Sequence, residues 1–586
     1  MGYSLQAQDS KLAQQYYLDG EYEKAAVVYK KLATASNAND YFFDRYVDCL
    51  AEMEQFEEAE KELKTALKKN PKKVQLYVTY GGLMERQGKH DEAKVQYEKA
   101  IKKIPADRFL VVKLANAFMS ETKYELAAQT FEAGAKMLND DQVFSYNLGD
   151  LYRRKGEPDK MVENYLNSLK GNAGRLRSVQ TLFQRYLDLE DYDELQGQLY
   201  GRIQDEPKTT VYIELLSWSF IQQKDYASAL QQTKALDMRL GENGARPFKL
   251  SGIAFEAGDF STAISGYDYI VQKGPQGAFY IDAKKELLAT KRVQLTESYD
   301  YTEDQLRTLE LEYQQFLDEF GQSRLTANIV AELADLQAYY LNDLDKAIQL
   351  LNGLIEFPGI KPITLAEGKI SLADFYLMKG EIWEATLLYS QVDKAFEEDL
   401  VGHQARFRNA KLAYYNGDFQ WAQTQFDVLK ASTSKLIAND ALDLSIFILD
   451  NLGLDTTTVA LETYAKADLL VFQNKFGAAK EKLDSIRTAF PGHSLEDDVL
   501  YSEAKIELKK RKYVKAAEIF SKIVENHPDE IRADNALKEL AEIQEIHLND
   551  PEAAKNNYEK LFIEYSGSTF AVEARKNYRR LRGDDI

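Results

Sequence analysis

Residues 20–32 read GEYEKAAVVYKKL, and near the other end of the chain residues 512–523 read KYVKAAEIFSKI. Each stretch has an aromatic residue, an alanine pair that starts three residues later, and a second aromatic residue four positions after the first alanine. Offsets of three, four and seven place these side chains on one face of a helix. The sequence therefore predicts an amphipathic helix that the chain repeats.

The repeat has a fixed period of 34 residues over the first half of the chain. Steps of 34 from the first alanine give what we call the ruler positions: Ala25, Ala59, Ala93, Ala127, Met161, Leu195, Ala229 and Ala263. Four residues after them come Tyr29, Leu63, Tyr97, Phe131, Tyr165, Leu199, Thr233 and Tyr267. Apolar pairs such as Leu12 and Tyr16 precede most ruler positions by thirteen and nine residues. Each unit is therefore expected to contain an earlier helix as well.

Turn residues separate the predicted helices at fixed offsets. Five residues before a ruler position stand Gly20, Gly88, Gly156 and Gly258, and twelve residues after one stand Pro71, Pro105, Pro207 and Pro275. Glycine suits a turn that needs positive φ, and proline cannot continue a preceding helix.

This pattern resembles the tetratricopeptide repeat, a helix–turn–helix of 34 residues with small residues where helices approach one another. The resemblance implies an all-α superhelical solenoid, here of about fourteen units, because one helix pair cannot bury its apolar face alone. The repeated phrase would then serve packing between units, not catalysis.

Longer units follow residue 275. Their ruler alanines are Ala347, Ala385, Ala422, Ala479, Ala516 and Ala554, at spacings of 38, 37, 57, 37 and 38. The long step leaves room for an extra helix, which the apolar residues 436–453 can provide. We therefore divide the chain into a possible signal-peptide remnant (1–8), an N-terminal array (9–275), an irregular or degenerate connector (276–327, with a helix expected in LELEYQQFLDEFGQS) and a C-terminal array (328–582).

The longer units end in FPG (357–359), AFPGHS (489–494), NHPDE (526–530) and EYSGS (564–568). These endings are similar to those of outer-membrane assembly lipoproteins of the BamD type and of the periplasmic cell-division coordinator CpoB. The resemblance implies a cell-envelope scaffold, although the lipid-anchoring cysteine of the BamD pattern is missing.

Charge and composition narrow the possible partners and compartments. The chain carries 74 basic and 94 acidic residues, a formal charge of −20. We expect no segregated basic stripe, interpret the patch KTALKKNPKK (64–73) as solvated surface, and expect no nucleic-acid partner. No apolar run is long enough to span a membrane, so membrane association would be peripheral, through partners. SLQAQ near the start resembles the end of a signal peptide, which favours a periplasmic location over a cytoplasmic one.

The sequence shows no motif typical of a catalytic, metal-binding or cofactor-binding site. The single cysteine, Cys49, excludes a disulfide within the chain and a cysteine-based zinc site, and the five histidines have no metal-ligand spacing. We expect no catalytic residues, no metal and no cofactor. A hidden enzyme site or a role as a peptidoglycan-processing accessory remains an alternative.

One constellation points to a peptide site. Some co-chaperone repeats grip a C-terminal carboxylate with polar residues on three successive first helices, and Asn116, Asn147 and Arg177 stand at matching positions here. Val112 and Thr181 replace basic residues of that pattern, and Lys113 lies beside Val112 but faces another direction. We expect a polar groove in this region that holds a peptide or loop of another protein. The function expected is thus a non-catalytic scaffold, in outer-membrane protein assembly or other envelope machinery, with a cytoplasmic adaptor or co-chaperone as the alternative.

Overall fold

In a computed structural model, the structure describes residues 2–35, 40–297, 301–431, 434–452 and 457–584, with only the backbone of 2–8, 297 and 435. These residues form helices and no β-strand. The chain divides into two compact units between Thr290 and Lys291, called unit 1 and unit 2. The possible signal remnant at 1–8 lies outside the described side chains, and Met1 lies outside the described residues altogether, so the remnant stays a prediction.

Unit 1 is built from antiparallel helix pairs. In order, the pairs are α1 (Gly2–Leu18) with α2 (Tyr22–Ala33), α3 (Asp40–Glu52) with α4 (Phe56–Lys69), α5 (Gln75–Arg86) with α6 (His90–Lys102), α7 (Arg108–Ser120) with α8 (Tyr124–Leu138), α9 (Ser145–Lys155) with α10 (Pro158–Gly171), α11 (Leu176–Tyr186) with α12 (Asp191–Asp205), α13 (Thr210–Gln222) with α14 (Tyr226–Leu240), and α15 (Ala245–Glu256) with α16 (Phe260–Val271). One 3₁₀ turn, Ala173–Arg175, precedes α11.

The predicted ruler residues lie in the core of unit 1. All eight are buried, and so are the eight residues that follow them by four positions. In each pair the second helix begins three residues before its ruler position, except for α12. A small residue there lets neighbouring helices approach closely, and the larger residue one turn later fills the space between them. The predicted packing of repeats in unit 1 is confirmed.

The turn inside each pair uses a left-handed residue. The four predicted glycines have φ between 73° and 81°, and Glu54, Thr122 and Lys224 adopt φ of 55–60° at the same offset in sister units. Glu190, in the α11–α12 unit, has φ −74° instead. Thus more units share the left-handed backbone conformation than share the glycine at this position.

Two helices occupy the connector region. They are α17 (Tyr280–Glu297) and α18 (Glu303–Phe320). The hydroxyl of Thr302 accepts a hydrogen bond from the backbone N–H of Gln305, whose side chain accepts one from the Thr302 N–H. This capping box starts α18, which contains the helix expected in LELEYQQFLDEF, and Gly321 with φ 71° ends it.

Unit 2 repeats the architecture with longer elements. Its helices are α19 (Ala327–Asp335), continued by a π-helical turn (Leu336–Tyr340), α20 (Leu344–Glu356), α21 (Pro362–Lys379), α22 (Ile382–Ala395), α23 (Leu400–Tyr415), α24 (Phe419–Leu429), α25 (Lys435–Leu452), α26 (Val459–Phe472), α27 (Phe476–Ala489), α28 (Glu496–Lys509), α29 (Tyr513–Asn526), α30 (Ala533–Ile546), α31 (Pro551–Glu564) and α32 (Ala571–Arg582). All six ruler alanines of this half have no accessible surface. The extra helix expected in the step of 57 residues is α25.

Within each unit, first helices contact the first helices of neighbouring repeats. In unit 2, α19 contacts α21, α21 contacts α23, α23 contacts α26, and α26 contacts α28; in unit 1, α3 contacts α5 and α5 contacts α7. The side chain of Gln473 also donates a hydrogen bond to the carbonyl of Leu377, two repeat steps earlier (3.0 Å). The side chains of these first helices therefore form a shared surface, which we call the inner surface of each unit.

A buried ionic cluster ties α25, α28 and the start of α30 together in unit 2. Arg532 Nε lies 2.7 Å from Asp498 Oδ1, and Arg532 Nη1 lies 3.2 Å from Asp443 Oδ2. Asn451 donates a hydrogen bond to Asp498 Oδ2 (3.3 Å). Arg532 and Asp498 are almost completely buried, so each ion depends on the other for the stabilisation that water would provide.

None of the helices within the described residues combines the length and apolar character that crossing a bilayer requires.

Candidate functional site

The three predicted groove residues lie on successive first helices of unit 1. Asn116 is exposed on α7, Asn147 is half-buried on α9, and Arg177 is exposed on α11. Within the described part of the chain, these three side chains form no hydrogen bond or ion pair, with one another or with other residues. Their polar groups are therefore available to a partner, which leaves the predicted groove role open.

The two remaining positions of the co-chaperone pattern are Val112 and Thr181. The fold itself uses both of these residues and the neighbouring Lys113. Val112 packs against the core of unit 1. The Thr181 hydroxyl donates to the carbonyl of Arg177 in its own helix (2.9 Å). Lys113 Nζ lies 2.8 Å from Asp40 Oδ2 on α3, so its charge is already paired. Of the five positions of the co-chaperone pattern, only Arg177 holds a cation.

A cavity of about 260 Å³ borders α11, and we call it the α11 pocket. Its walls are Leu176, Gln180, Glu214, Ser217, Trp218, Ile221, Thr233, Leu236, Arg246, Lys249, Leu250 and Ile253. Trp218 packs at a tilt against Tyr192, with ring centroids 6.0 Å apart. Ion pairs hold Arg246 to Glu242 (2.7 Å) and Glu214 (3.5 Å).

Several polar groups of the α11 pocket have no partner among the residues that the structure describes. They are the indole N–H of Trp218, the ammonium group of Lys249 and the amide of Gln180. The pocket thus combines an apolar surface with unpaired donors, which suits an apolar side chain flanked by a carboxylate or a peptide carbonyl.

The unit α11–α12 next to the pocket departs from the repeat. Leu195 occupies the ruler position that alanine holds in most units, and the turn residue Glu190 is not left-handed. The walls of the pocket come from α11, α13, α14 and α15 and not from α12, so this departure in the sequence did not identify Trp218 as a wall.

A second polar feature of the inner surface runs along α3. Asp40, Asp44, Asp48 and Glu52 follow one another at intervals of four residues and form what we call the α3 ladder. Asp40 pairs with Lys73 (2.7 Å) as well as Lys113, and Asp48 and Glu52 pair with Arg86 (3.3 and 3.2 Å). Asp44 instead accepts a hydrogen bond from the hydroxyl of Thr79 (2.8 Å).

The carboxylates of the α3 ladder differ in how well their charge is compensated. Burial raises the pKa of Asp44 to about 6, and the neighbouring charges of Asp48 and Asp40 add to this effect. Burial also opposes ionisation of Asp40, but hydrogen bonds from Lys113 and Lys73 lower its pKa below the usual value. Ionised Asp44 is therefore a destabilising charge that a cationic partner group could relieve.

Asp44→Asn is expected to stabilise unit 1 by about 1–2 kcal/mol at pH 7, since each pKa unit corresponds to about 1.4 kcal/mol and partial solvent access reduces the full effect. Because the folded-state pKa of Asp44 is raised, wild-type stability falls as pH rises from about 4 to 6. The stabilisation by Asp44→Asn should therefore be small at pH 4. Urea unfolding of the wild type and the variant at pH 7 and pH 4 measures this difference.

Asp40→Asn provides the opposite control. Its folded-state pKa is lowered, so the substitution should cost stability at pH 7 and cost less as pH falls below the usual range of aspartate. Equal effects of the two substitutions at pH 7 would contradict this account of the ladder.

The described residues offer little support for a nucleophilic site or a metal-binding site. The thiol of Cys49 is buried, and burial raises its pKa to about 12, so it is not a reactive thiolate. The described residues contain no cluster of three or more histidine, cysteine, aspartate or glutamate side chains that could hold a metal ion. His90 is exposed at the first position of α6, where sister units have an aromatic residue.

Comparison with protein families identifies the repeats. One tetratricopeptide-repeat model matches residues 16–78, and another matches residues 49–108 and 464–531. The matches fall in both units. No curated protein matches the chain.

Solved structures of low sequence identity also align with the chain. The Naa15/Naa10 complex bound to HypK-THB is 14% identical, with a TM-score of 0.26, over 99% of this chain and 94% of that chain. The P58(IPK) TPR domain is 16% identical, with a TM-score of 0.19, over 70% and 98%. A tetratricopeptide repeat protein from Parabacteroides merdae is 13% identical, with a TM-score of 0.21, over 58% and 100%.

Proposed function

Because this chain is an all-α solenoid of tetratricopeptide repeats, we propose that it is a non-catalytic scaffold that holds other proteins in the inner groove of unit 1. The observation that carries the proposal is the α11 pocket, where Trp218, Lys249 and Gln180 present unpaired donors around an apolar cavity. Asn116, Asn147 and Arg177 extend this polar surface along the preceding first helices.

An extended peptide would use these groups in two ways. An apolar side chain that enters the pocket against Trp218 would gain roughly 1.5–3 kcal/mol from burial. The peptide backbone and its carboxylates would meet the unpaired donors of Asn116, Asn147, Arg177 and Lys249. A basic residue of the same peptide could approach Asp44 on the α3 ladder, whose charge is poorly compensated.

We place this scaffold in the periplasm, as a subunit or accessory of outer-membrane protein assembly or other envelope machinery. The support is the SLQAQ stretch and the similarity of the unit 2 repeat endings to BamD-type and CpoB repeats. The ion pair between Asp9 and Lys31 (3.0 Å) supports counting residues from Asp9 onward as part of the folded domain. Membrane association would be peripheral and would go through partners.

A cytoplasmic adaptor that binds peptide segments is the second candidate. It is favoured by α1, whose helix runs from Gly2 through the proposed cleavage region without a break. The N-terminal residue of the mature protein distinguishes the two: a start near Gln8 or Asp9 supports export, and a start at Met1 or Gly2 contradicts it.

The test of the groove is a comparison of partners recovered with three tagged full-length chains after gentle solubilisation. The groove variant is Arg177→Glu/Lys249→Glu, and the control variant Lys94→Glu/Lys99→Glu makes the same charge change on the exposed surface of α6. We expect the groove variant to recover the specific partners at least tenfold less than the wild type, by quantitative mass spectrometry, and the control to match the wild type. Equal recovery by all three would overturn the groove assignment.

A further inference from the structure

A run of four cations lies at the turn between α28 and α29 in unit 2. Lys509, Lys510, Arg511 and Lys512 are consecutive and exposed, and none of them forms an ion pair with the residues that the structure describes. The flanking Lys505 and Lys515 do pair, with Glu539 (3.0 Å) and Glu507 (3.1 Å). Four consecutive cations without an ion pair stand out in a chain with a net charge of −20, although Glu507 interacts electrostatically with Lys510 and Lys512.

The cation run borders a cavity of about 430 Å³, which we call the α28 pocket. Leu508, Ile543 and Ile546 supply an apolar wall, and Ile546 is largely exposed in it. Lys509 and Arg511 supply the unpaired cations. A cavity of this size accepts one or two side chains of a peptide.

The acidic groups of the α28 pocket do not neutralise these cations. Glu539 pairs with Lys505, and Glu542 pairs with Lys538 (2.9 Å). Desolvation of its ammonium group lowers the pKa of Lys509, although the residue as a whole is exposed; the charges of Lys505 and Lys411 lower it further, and Asp468 opposes them. Lys509 Nζ makes one long hydrogen bond, to the carbonyl of Val471 (3.4 Å). An anion that enters the pocket would relieve this excess of positive charge.

Arg511 is held in place before any ligand arrives. Its guanidinium lies 3.9 Å from the centroid of the Tyr301 ring, on the segment that precedes α18. Its backbone has φ 58° at the turn position where other units have glycine. Other units have Glu54, Thr122 and Lys224 in the same conformation, so this turn accepts either glycine or a longer side chain.

We propose that the α28 pocket is a second binding site, which takes an acidic peptide segment of a partner protein. An apolar side chain of that segment packs against Ile543 and Ile546, and its carboxylates contact the side chains of Lys509 and Arg511. The site lies in unit 2, so it is separate from the groove proposed for unit 1. A concave apolar wall beside the cations fits a peptide better than a flat lipid surface, and the net charge of the chain opposes binding to a phosphate backbone.

The test measures binding of a fluorescein-labelled heptapeptide, five glutamates around one tryptophan and one leucine, to the full-length chain by fluorescence anisotropy. In the pocket variant Lys509→Ala/Arg511→Gly, glycine suits the left-handed backbone, so the fold is retained. The control variant Lys68→Ala/Lys69→Ala removes two exposed cations from unit 1. We expect the pocket variant to raise Kd at least tenfold, the control to change it less than twofold, and the same peptide with glutamine in place of glutamate not to bind.

The remaining outcomes overturn the proposal. No binding of the glutamate peptide to the wild type, or equal binding to both variants, would exclude the pocket as an acidic-peptide site. Binding of phosphatidylglycerol vesicles or single-stranded DNA through the same residues, without peptide binding, would assign the cations to another partner. Loss of binding in the pocket variant alone assigns the peptide to the α28 pocket, whereas loss in the Arg177→Glu/Lys249→Glu variant alone assigns it to the unit 1 groove and overturns the proposal, so failure of the two sites is distinguishable.

Discussion

Replacing Arg532 by methionine is expected to lower the free energy of unfolding of unit 2 by about 3–5 kcal/mol at pH 7, because the substitution leaves Asp498 buried and unpaired. Arg532 Nε lies 2.7 Å from Asp498 Oδ1, and the guanidinium also lies over the rings of Phe447 and Tyr501. Methionine can keep part of the apolar contact with these rings. It cannot replace the charge that stabilises the carboxylate.

The loss should depend on pH in a defined direction. Burial already raises the pKa of Asp498, although Arg532 opposes the effect. Without Arg532 the pKa rises further, so Asp498 takes up a proton in the folded variant, and the variant's deficit should shrink as pH falls below 7. Urea unfolding followed by circular dichroism at pH 7 and pH 5 measures the deficit.

A second substitution separates the buried charge from simple loss of packing. Arg532→Met/Asp498→Asn removes both ions, and it should recover most of the stability that Arg532→Met loses. A double variant no more stable than the single one would show that packing of the arginine stem, and not the unpaired aspartate, accounts for the loss.

Gly402→Ala is expected to destabilise unit 2 by about 3 kcal/mol, at the upper end of the usual cost of overpacking. Gly402 lies in the first turn of α23, and a Cβ atom there would lie 1.8 Å from the carbonyl oxygen of Phe396. A side chain could rotate away from such a contact, but this oxygen belongs to the backbone that connects α22 to α23. The connection must therefore move.

Gly353→Ala is the matched control in the same unit. Gly353 lies inside α20, and the nearest atom to its added Cβ is the end of the Gln322 side chain at 3.8 Å. Alanine there should stabilise the protein by about 0.5–1 kcal/mol, because glycine is a poor residue in a helix interior. Urea midpoints of the two variants should therefore move in opposite directions. A shift of the same sign in both would contradict the role of Gly402 in the tight connection.

The sequence was sufficient to predict the repeating core. Positions such as Ala93 and Ala516 recur at regular spacing because every unit packs against the next in the same way, and a periodic constraint leaves a periodic pattern. The extra helix α25 was predictable for a simpler reason: its stretch is apolar and the step of 57 residues is too long for one unit.

The binding surfaces were less predictable because they depend on side chains that the repeat does not constrain. The wall of the α11 pocket includes Trp218, which a sequence pattern assigns equally well to the core. The cations Lys509–Lys512 are visible in the sequence, but only the structure shows the apolar cavity beside them and the absence of paired carboxylates. Asn116, Asn147 and Arg177 stay predicted partner contacts, whose test is the groove variant.

The left-handed turn residues are also suitable sites for dyes that measure changes in the length of the solenoid. Glu54, Lys224 and Asn474 occupy this turn position in their units and are exposed. The one native cysteine of the chain is Cys49, whose buried thiol has a raised pKa. Thiol dyes on cysteines introduced at two turns of the same unit would therefore label those sites alone. Energy transfer between them would report whether the superhelix stretches or tightens when a partner binds.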